Sequence, residues 1–287
     1  MTQRPPRSPR AESREVVELN ELKISQPELA SAVDLQLALL EMQRRVQSRV
    51  PLPWIHADPE WLREQQSAGR PLVRFGDIPV DWSDLRLTFR QTADILRRFD
   101  ALDPGDHEQI VALGRDGHAL ETLIAEWYNV TSRTDAIQEA RVPEGSPPGL
   151  EQVLVLALRP FLARCSEALM QRNEASEWNR GYCPLCGWEP DFAVITPTAD
   201  RRLICGRCLA QWPFEPLTCP FCSNDDRTLV TSFATRDGRY RVYACDVCRR
   251  YLKAYDGRHA ARPVMVSVDT IATLPLDAAA IQRGYVA

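Results

Sequence analysis

The chain has 287 residues, 35 Lys+Arg against 39 Asp+Glu, 44% hydrophobic and 26% charged residues, the proportions of a soluble globular protein of one or two domains. A net charge of −4 and a pI near 5.7 give no global basic field to attract a nucleic-acid backbone or an anionic membrane, which disfavours a DNA- or RNA-binding role. The longest apolar run, VLVLAL at 153–158, is far short of the roughly 20 residues of a membrane span, and residues 1–15, with four Arg and three Pro, lack an apolar leader segment, so a cytoplasmic protein is expected.

Residues 1–18 read as a disordered arm and 19–180 as a helical domain. Ser25-Gln26-Pro27-Glu28 has the form of a Ser cap with Glu three residues later, ahead of a helix carrying Leu29, Val33, Leu37 and Leu40 on one face. A helix entered at Ser83 places Leu85, Phe89, Leu96 and Phe99 at helical spacing. Another, over 117–128, uses Leu120, Leu123, Ile124 and Trp127. After a Pro/Gly-rich loop at 143–149, residues 150–170 resume a helical pattern, with a break or kink expected at Pro160.

Beyond Trp178 the pattern turns to short β-like runs at 192–195, 202–204, 228–233, 240–244, 251–255 and 264–268, followed by a short helix at 278–283 stopped by Gly284. These runs alternate with four C-x2-C pairs: Cys183/Cys186, Cys205/Cys208, Cys219/Cys222 and Cys245/Cys248, separated by 18, 10 and 22 residues. A C-x2-C loop turns both sulfurs toward one point, where backbone N–H groups can donate to them, and two such loops complete a tetrahedral tetrathiolate site. Four thiolates leave no open coordination position, which suits structural zinc or a rubredoxin-like single iron and not hydrolysis. The two longer gaps each hold two β-like runs, as a hairpin carrying one loop back to the other requires. Site 1 is therefore Cys183, Cys186, Cys205 and Cys208, and site 2 is Cys219, Cys222, Cys245 and Cys248. The competing readings are a cross-braced pairing, disulfides, which a cytosolic chain disfavours, and a thioredoxin-type dithiol, which needs a single pair at a helix start.

The fold class that follows is α+β: an N-terminal all-helical domain, then two tandem rubredoxin-like or zinc-ribbon modules over 181–216 and 217–270, each with a four-cysteine metal site, then a C-terminal helix and tail over 271–287. Eleven Lys/Arg against nine Asp/Glu between 183 and 259, together with two metal–tetrathiolate units of about −2 each, bring this region to about −2. The pairs Arg201-Arg202 and Arg249-Arg250 read as solvated strand ends, not as a nucleic-acid surface. Cys165 falls on the stripe of Leu158, Leu162 and Leu169 and reads as core. His56, His107, His118 and His259 are scattered without ligand spacing, His56 beside Asp58 being the most polar outlier. There is no phosphate-binding, dinucleotide-binding or nucleophile-elbow motif, and no catalytic residue is assigned.

The order of these features resembles the FdhE family of formate dehydrogenase accessory proteins: a long helical body, C-P-x-C-G at 183–187, then C-x2-C-x3-W-x6-C-x2-C through Cys205, Cys208, Trp212, Cys219 and Cys222, and a last pair at Cys245/Cys248. The resemblance implies a non-enzymatic, cytoplasmic maturation factor that binds the catalytic subunit of formate dehydrogenase. It further implies that all eight cysteines are ligands and favours rubredoxin-like iron, with zinc the alternative that tetrahedral thiolate geometry equally permits. The helical domain would supply either a docking groove or a homodimer face. The other functional classes are an electron-transfer module acting on the client and a nucleic-acid-binding zinc-ribbon protein, the latter opposed by the charge.

Overall fold

The computed structural model describes residues 13–55, 58–132, 142–170, 178–260 and 262–286. Its helical part comprises α1 (Arg14–Ser25), α2 (Ala30–Gln47), α3 (Pro59–Ser67), α4 (Trp82–Arg98), α5 (Pro104–Leu113), α6 (Gly117–Thr131) and α7 (Leu150–Met170). Asp residues start four of them: the Asp58, Asp81, Asp103 and Asp116 carboxylates accept from first-turn amides of α3, α4, α5 and α6 and satisfy donors that have no partner within the helix. Leu85, Phe89 and Leu96 of α4, Ile124 and Trp127 of α6, and Leu154, Leu158, Phe161 and Cys165 of α7 fill the main core. Cys165 sits there as a small apolar residue, burial raising its thiol to about 12.

Several expectations are corrected. α1 begins at Arg14, inside the stretch read as an arm, because Leu19 and Leu22 close over Leu29 in the turn ahead of α2, Val33 of α2 and Val268 near the C-terminus. Ser25 is therefore the last residue of α1 rather than a cap, and a 3-10 turn at Pro27–Leu29 leads into α2. α4 is capped by Asp81, two residues before Ser83. α7 runs without interruption through Pro160. Proline removes the amide that would bond the Leu156 carbonyl, and Gln43 of α2 donates its Nε2 to that oxygen at 3.0 Å, so the vacancy is filled from a neighbouring helix.

The C-terminal part is a six-stranded sheet in the order β3-β2-β1-β6-β5-β4, where β1 is Pro190–Ile195, β2 Arg201–Cys205, β3 Gln211–Pro213, β4 Val230–Ala234, β5 Tyr240–Cys245 and β6 Tyr251–Asp256. Each module contributes three antiparallel strands, and the two triplets join where β1 and β6 pair in parallel with Ala193 opposite Ala254. The architecture is a helical region followed by a mixed sheet region that carries two four-cysteine clusters.

The run at 264–268 is not a strand: Val266–Ala272 is helix α8, followed by α9 (Leu274–Gln282). The buried Asp269 carboxylate accepts from the Met265 amide at 2.7 Å, the Tyr240 hydroxyl at 2.8 Å and Arg262, which starts the helix where β-branched residues alone suggest an extended chain. Arg262 also pairs with Glu18 of α1 at 3.2 Å, so the two ends of the described chain are tied together. Among the described residues no helix is long and apolar enough to cross a membrane.

Candidate metal centres

The eight cysteines of the four pairs gather in sequence order into two groups, Cys183/Cys186/Cys205/Cys208 and Cys219/Cys222/Cys245/Cys248, with all sulfurs of a group within 4.8 Å of one another. Sulfur–sulfur separations include 3.4 Å for Cys186–Cys205 and 3.5 Å for Cys183–Cys208 in the first group, and 3.6 Å for Cys222–Cys245 and 3.7 Å for Cys219–Cys248 in the second. A covalent S–S bond is near 2.05 Å. A metal–sulfur distance of about 2.3 Å gives a tetrahedron edge of roughly 3.8 Å, so the spacing and donor set fit one ion per group.

All four C-x2-C loops have the same backbone. The amide of the residue after the second cysteine donates to the carbonyl of the first: Gly187 to Cys183, Leu209 to Cys205, Ser223 to Cys219 and Arg249 to Cys245, at 2.9–3.2 Å. That residue is left-handed in each loop, with φ of +72, +61, +60 and +60° respectively. Amides within the loop reach the sulfurs, as Leu185 does to Cys183 Sγ at 3.4 Å and Arg207 to Cys205 Sγ at 3.3 Å. Glycine is therefore favoured at this position, and only the first loop has it. Ser223 is exposed, so Ser223→Gly is expected to stabilise site 2 by about 0.5 kcal/mol, a rise of 1–2 °C in its melting transition by calorimetry.

The first site lies inside the main core, its four cysteines at most 1% exposed. Backbone of the helical region pairs directly with its first loop: Leu72 donates to the Pro184 carbonyl at 2.9 Å and Val73 to that of Leu185 at 2.8 Å. Trp212 is buried in the same core, its indole donating to the Arg180 carbonyl at 3.0 Å. Gly187 completes the seam, since a Cβ there would stand 2.8 Å from the Ser132 carbonyl oxygen. The second site lies at the surface, with Cys222 exposed and Cys248 half-buried.

Burial pushes the Cys183 and Cys208 thiols well above the ordinary value. At Cys186 burial acts the same way, but hydrogen bonds from the other three thiols and the charge of Arg207 outweigh it and hold that thiol low. A metal binds thiolates, so loading site 1 must expel the protons that Cys183 and Cys208 keep at neutral pH. Its affinity therefore rises with pH: a chelator competition is expected to give tighter binding at pH 8 than at pH 6.5, by tenfold or more.

The arginine pairs expected at solvated strand ends are largely occupied. Arg201 is 4% exposed, and its Nη1 donates to the carbonyls of Glu215, Pro216 and Thr218, shaping the chain that enters Cys219. Arg250 holds Glu189 through two hydrogen bonds of 2.6 and 3.0 Å while lying 3.7 Å from the Phe221 ring centroid, linking the two modules. A basic residue count does not reveal this, because the carbonyls and the ring come from other loops. His107 accompanies Asp94 at 2.8 Å, and His118 lies in the first turn of α6; His56 and the side chain of His259 lie outside the described residues. The residue sequence reasoning passed over is Arg207, between the cysteines of the second pair, which is fully buried.

No protein-family model matches the chain. It is 28% identical over 138 residues to a protein of Aquifex aeolicus named an FdhE homolog, covering 46% of this chain and 48% of that one. An FdhE homolog of Haemophilus ducreyi is 26% identical over 167 residues, 56% of this chain and 53% of the relative. The matched region thus spans about half the length of these curated relatives. The crystal structure of the FdhE protein from Pseudomonas aeruginosa matches over 95% of this chain and 92% of its own, with a TM-score of 0.60 at 22% identity, a likeness of fold.

Proposed function

Because the curated relatives and the shared fold support the FdhE family, we propose that this chain is a cytoplasmic accessory factor in the formation of active formate dehydrogenase, binding the catalytic subunit of that enzyme rather than oxidising formate itself. The observation that carries the reading is the pair of closed four-cysteine groups: each fits a metal ion, and neither has the open coordination position that catalysis at the ion requires. Site 1 would be held by Cys183, Cys186, Cys205 and Cys208, and site 2 by Cys219, Cys222, Cys245 and Cys248. Iron bound there supplies one-electron redox chemistry, whereas zinc supplies folding energy alone.

A second reading, electron transfer to the client through iron, is favoured by the exposure of Cys222, which brings one ligand to the surface. Anaerobic affinity capture from cells making formate dehydrogenase tests both. The expected result is co-purification of the catalytic subunit, lost when the cysteines are changed to serine. Visible absorption from a ferric tetrathiolate in the same eluate favours the redox reading, and a colourless, zinc-containing eluate removes it. Failure to retain the dehydrogenase under anaerobic, low-salt conditions overturns the accessory reading.

A further inference from the structure

We propose that the two sites are chemically unequal: site 1, enclosed in the core with the Arg207 guanidinium against it, keeps its ion as a fixed part of the core, and site 2 is the exchangeable, reagent-accessible centre. This rests on the reading that both groups hold a metal. A divalent ion with four thiolates carries a net charge of about −2, which is costly to bury without compensation. At site 1 the compensation is built in. Arg207 is 0% exposed and lies within the second loop itself, its guanidinium donating to the carbonyl of Cys186, to Thr131 Oγ1 at 2.9 Å and to Ser132 Oγ at 2.9 Å. Its charge rests among three rings of the helical region and first loop, 4.4 Å from the Tyr128 centroid, 4.9 Å from Trp188 and 5.3 Å from Trp127. Arg159 of α7 reaches the same loop, donating to the Gly206 carbonyl at 2.6 Å. Arg207 thus sets its charge directly against the cluster, and Arg159, which also faces Asp191, adds part of a second, so much of the unit of about −2 is offset.

Among the described residues site 2 has one buried guanidinium, that of Arg201, whose charge faces Cys219. Arg249 is paired with Asp246 at 3.0 Å and Arg250 with Glu189 at 2.6 Å, so their charges are already matched by carboxylates. Arg201 donates to three backbone carbonyls but keeps its charge, and one guanidinium offsets only part of a unit of about −2. The rest of the charge is left to solvent, and the exposed Cys222 and half-buried Cys248 give water, and any attacking ligand, a route to the cluster. Exchange of a thiolate-bound metal proceeds through an incoming ligand at a sulfur or the ion, so the open site should exchange first.

The test uses the full chain loaded with zinc, counted by elemental analysis, then mixed with excess chromophoric chelator, with iodoacetamide labelling followed by peptide mass mapping on the same samples. Two ions per chain are expected, one released at least tenfold faster than the other, with Cys219, Cys222, Cys245 and Cys248 alkylated during the fast phase and site 1 cysteines only during the slow one. Arg207→Met should accelerate the slow phase at least tenfold and leave the fast phase unchanged, and Arg207→Lys should recover part of the difference. Fewer than two ions overturns both the metal reading and this proposal. Two ions released in a single phase, or site 1 cysteines labelled first, overturn the proposal and leave the metal reading standing. If the Arg207→Met chain does not fold, the labelling order in the unaltered chain decides.

Discussion

Cys183→Ser is expected to lose one of two bound ions and most of its soluble expression, with any recovered protein melting more than 10 °C lower. Binding of structural zinc to a four-ligand site is worth about 10–16 kcal/mol, as much as or more than the roughly 5–15 kcal/mol net stability of a whole domain. Cys183 is 0% exposed, and the loop it anchors is bonded through the Pro184 and Leu185 carbonyls to Leu72 and Val73. The damage should therefore spread into the helical region. Cys222→Ser provides the contrast, since that ligand is exposed and removing it should release the site 2 ion while the helical signal in circular dichroism persists. Metal analysis with thermal unfolding of both variants decides the matter. A soluble, fully folded Cys183→Ser protein holding two ions would contradict the assignment of Cys183 as a ligand.

Gly181→Ala is expected to cost about 3 kcal/mol, lowering the melting temperature by roughly 6–12 °C. A Cβ at this position would stand 1.8 Å from the carbonyl oxygen of Pro220, 2.7 Å from its carbonyl carbon and 2.9 Å from its Cα. Pro220 lies between Cys219 and Cys222, so the atoms that must move are backbone of the site 2 loop and not the end of a flexible side chain. The two modules touch here through main chain, and the Arg250 bridge from Glu189 to Phe221 spans the same junction. Relief would require parting them. Gly76→Ala is the matched control, because nothing lies within 4 Å of a Cβ there, and its stability should change by less than about 0.5 kcal/mol. Equal melting temperatures for the two alanine variants would show that the Gly181 contact yields without cost.

How much was legible follows from which forces act locally. The two four-cysteine groupings were readable because a two-residue loop leaves the chain few ways to present two sulfurs, and the hairpin between successive loops is a local object too. The stripes of α4, α6 and α7 were readable for the same reason, since 3.6-residue periodicity is a property of the helix alone. The passage of α7 through Pro160 was not, because the donor that serves the Leu156 carbonyl comes from Gln43, 113 positions away. Nor was helix α8, where Asp269 overrides the extended preference of Val264, Val266 and Val268 by capping the chain from within and burying against Tyr240 and Arg262.

Arg207 shows the division at a single residue. Covalent spacing alone indicated two four-cysteine groups and put an arginine between Cys205 and Cys208. That this arginine is buried against Tyr128, Trp127 and Trp188, that Arg159 joins it from α7, and that site 2 has the single buried guanidinium of Arg201 beside Cys219 all follow from tertiary packing. Ligand spacing is set by covalent geometry over four residues. The charge environment of a buried ion is set by whatever the fold brings against it, and here Trp188 lies 19 positions before Arg207, Arg159 48, and Tyr128 and Trp127 79 and 80.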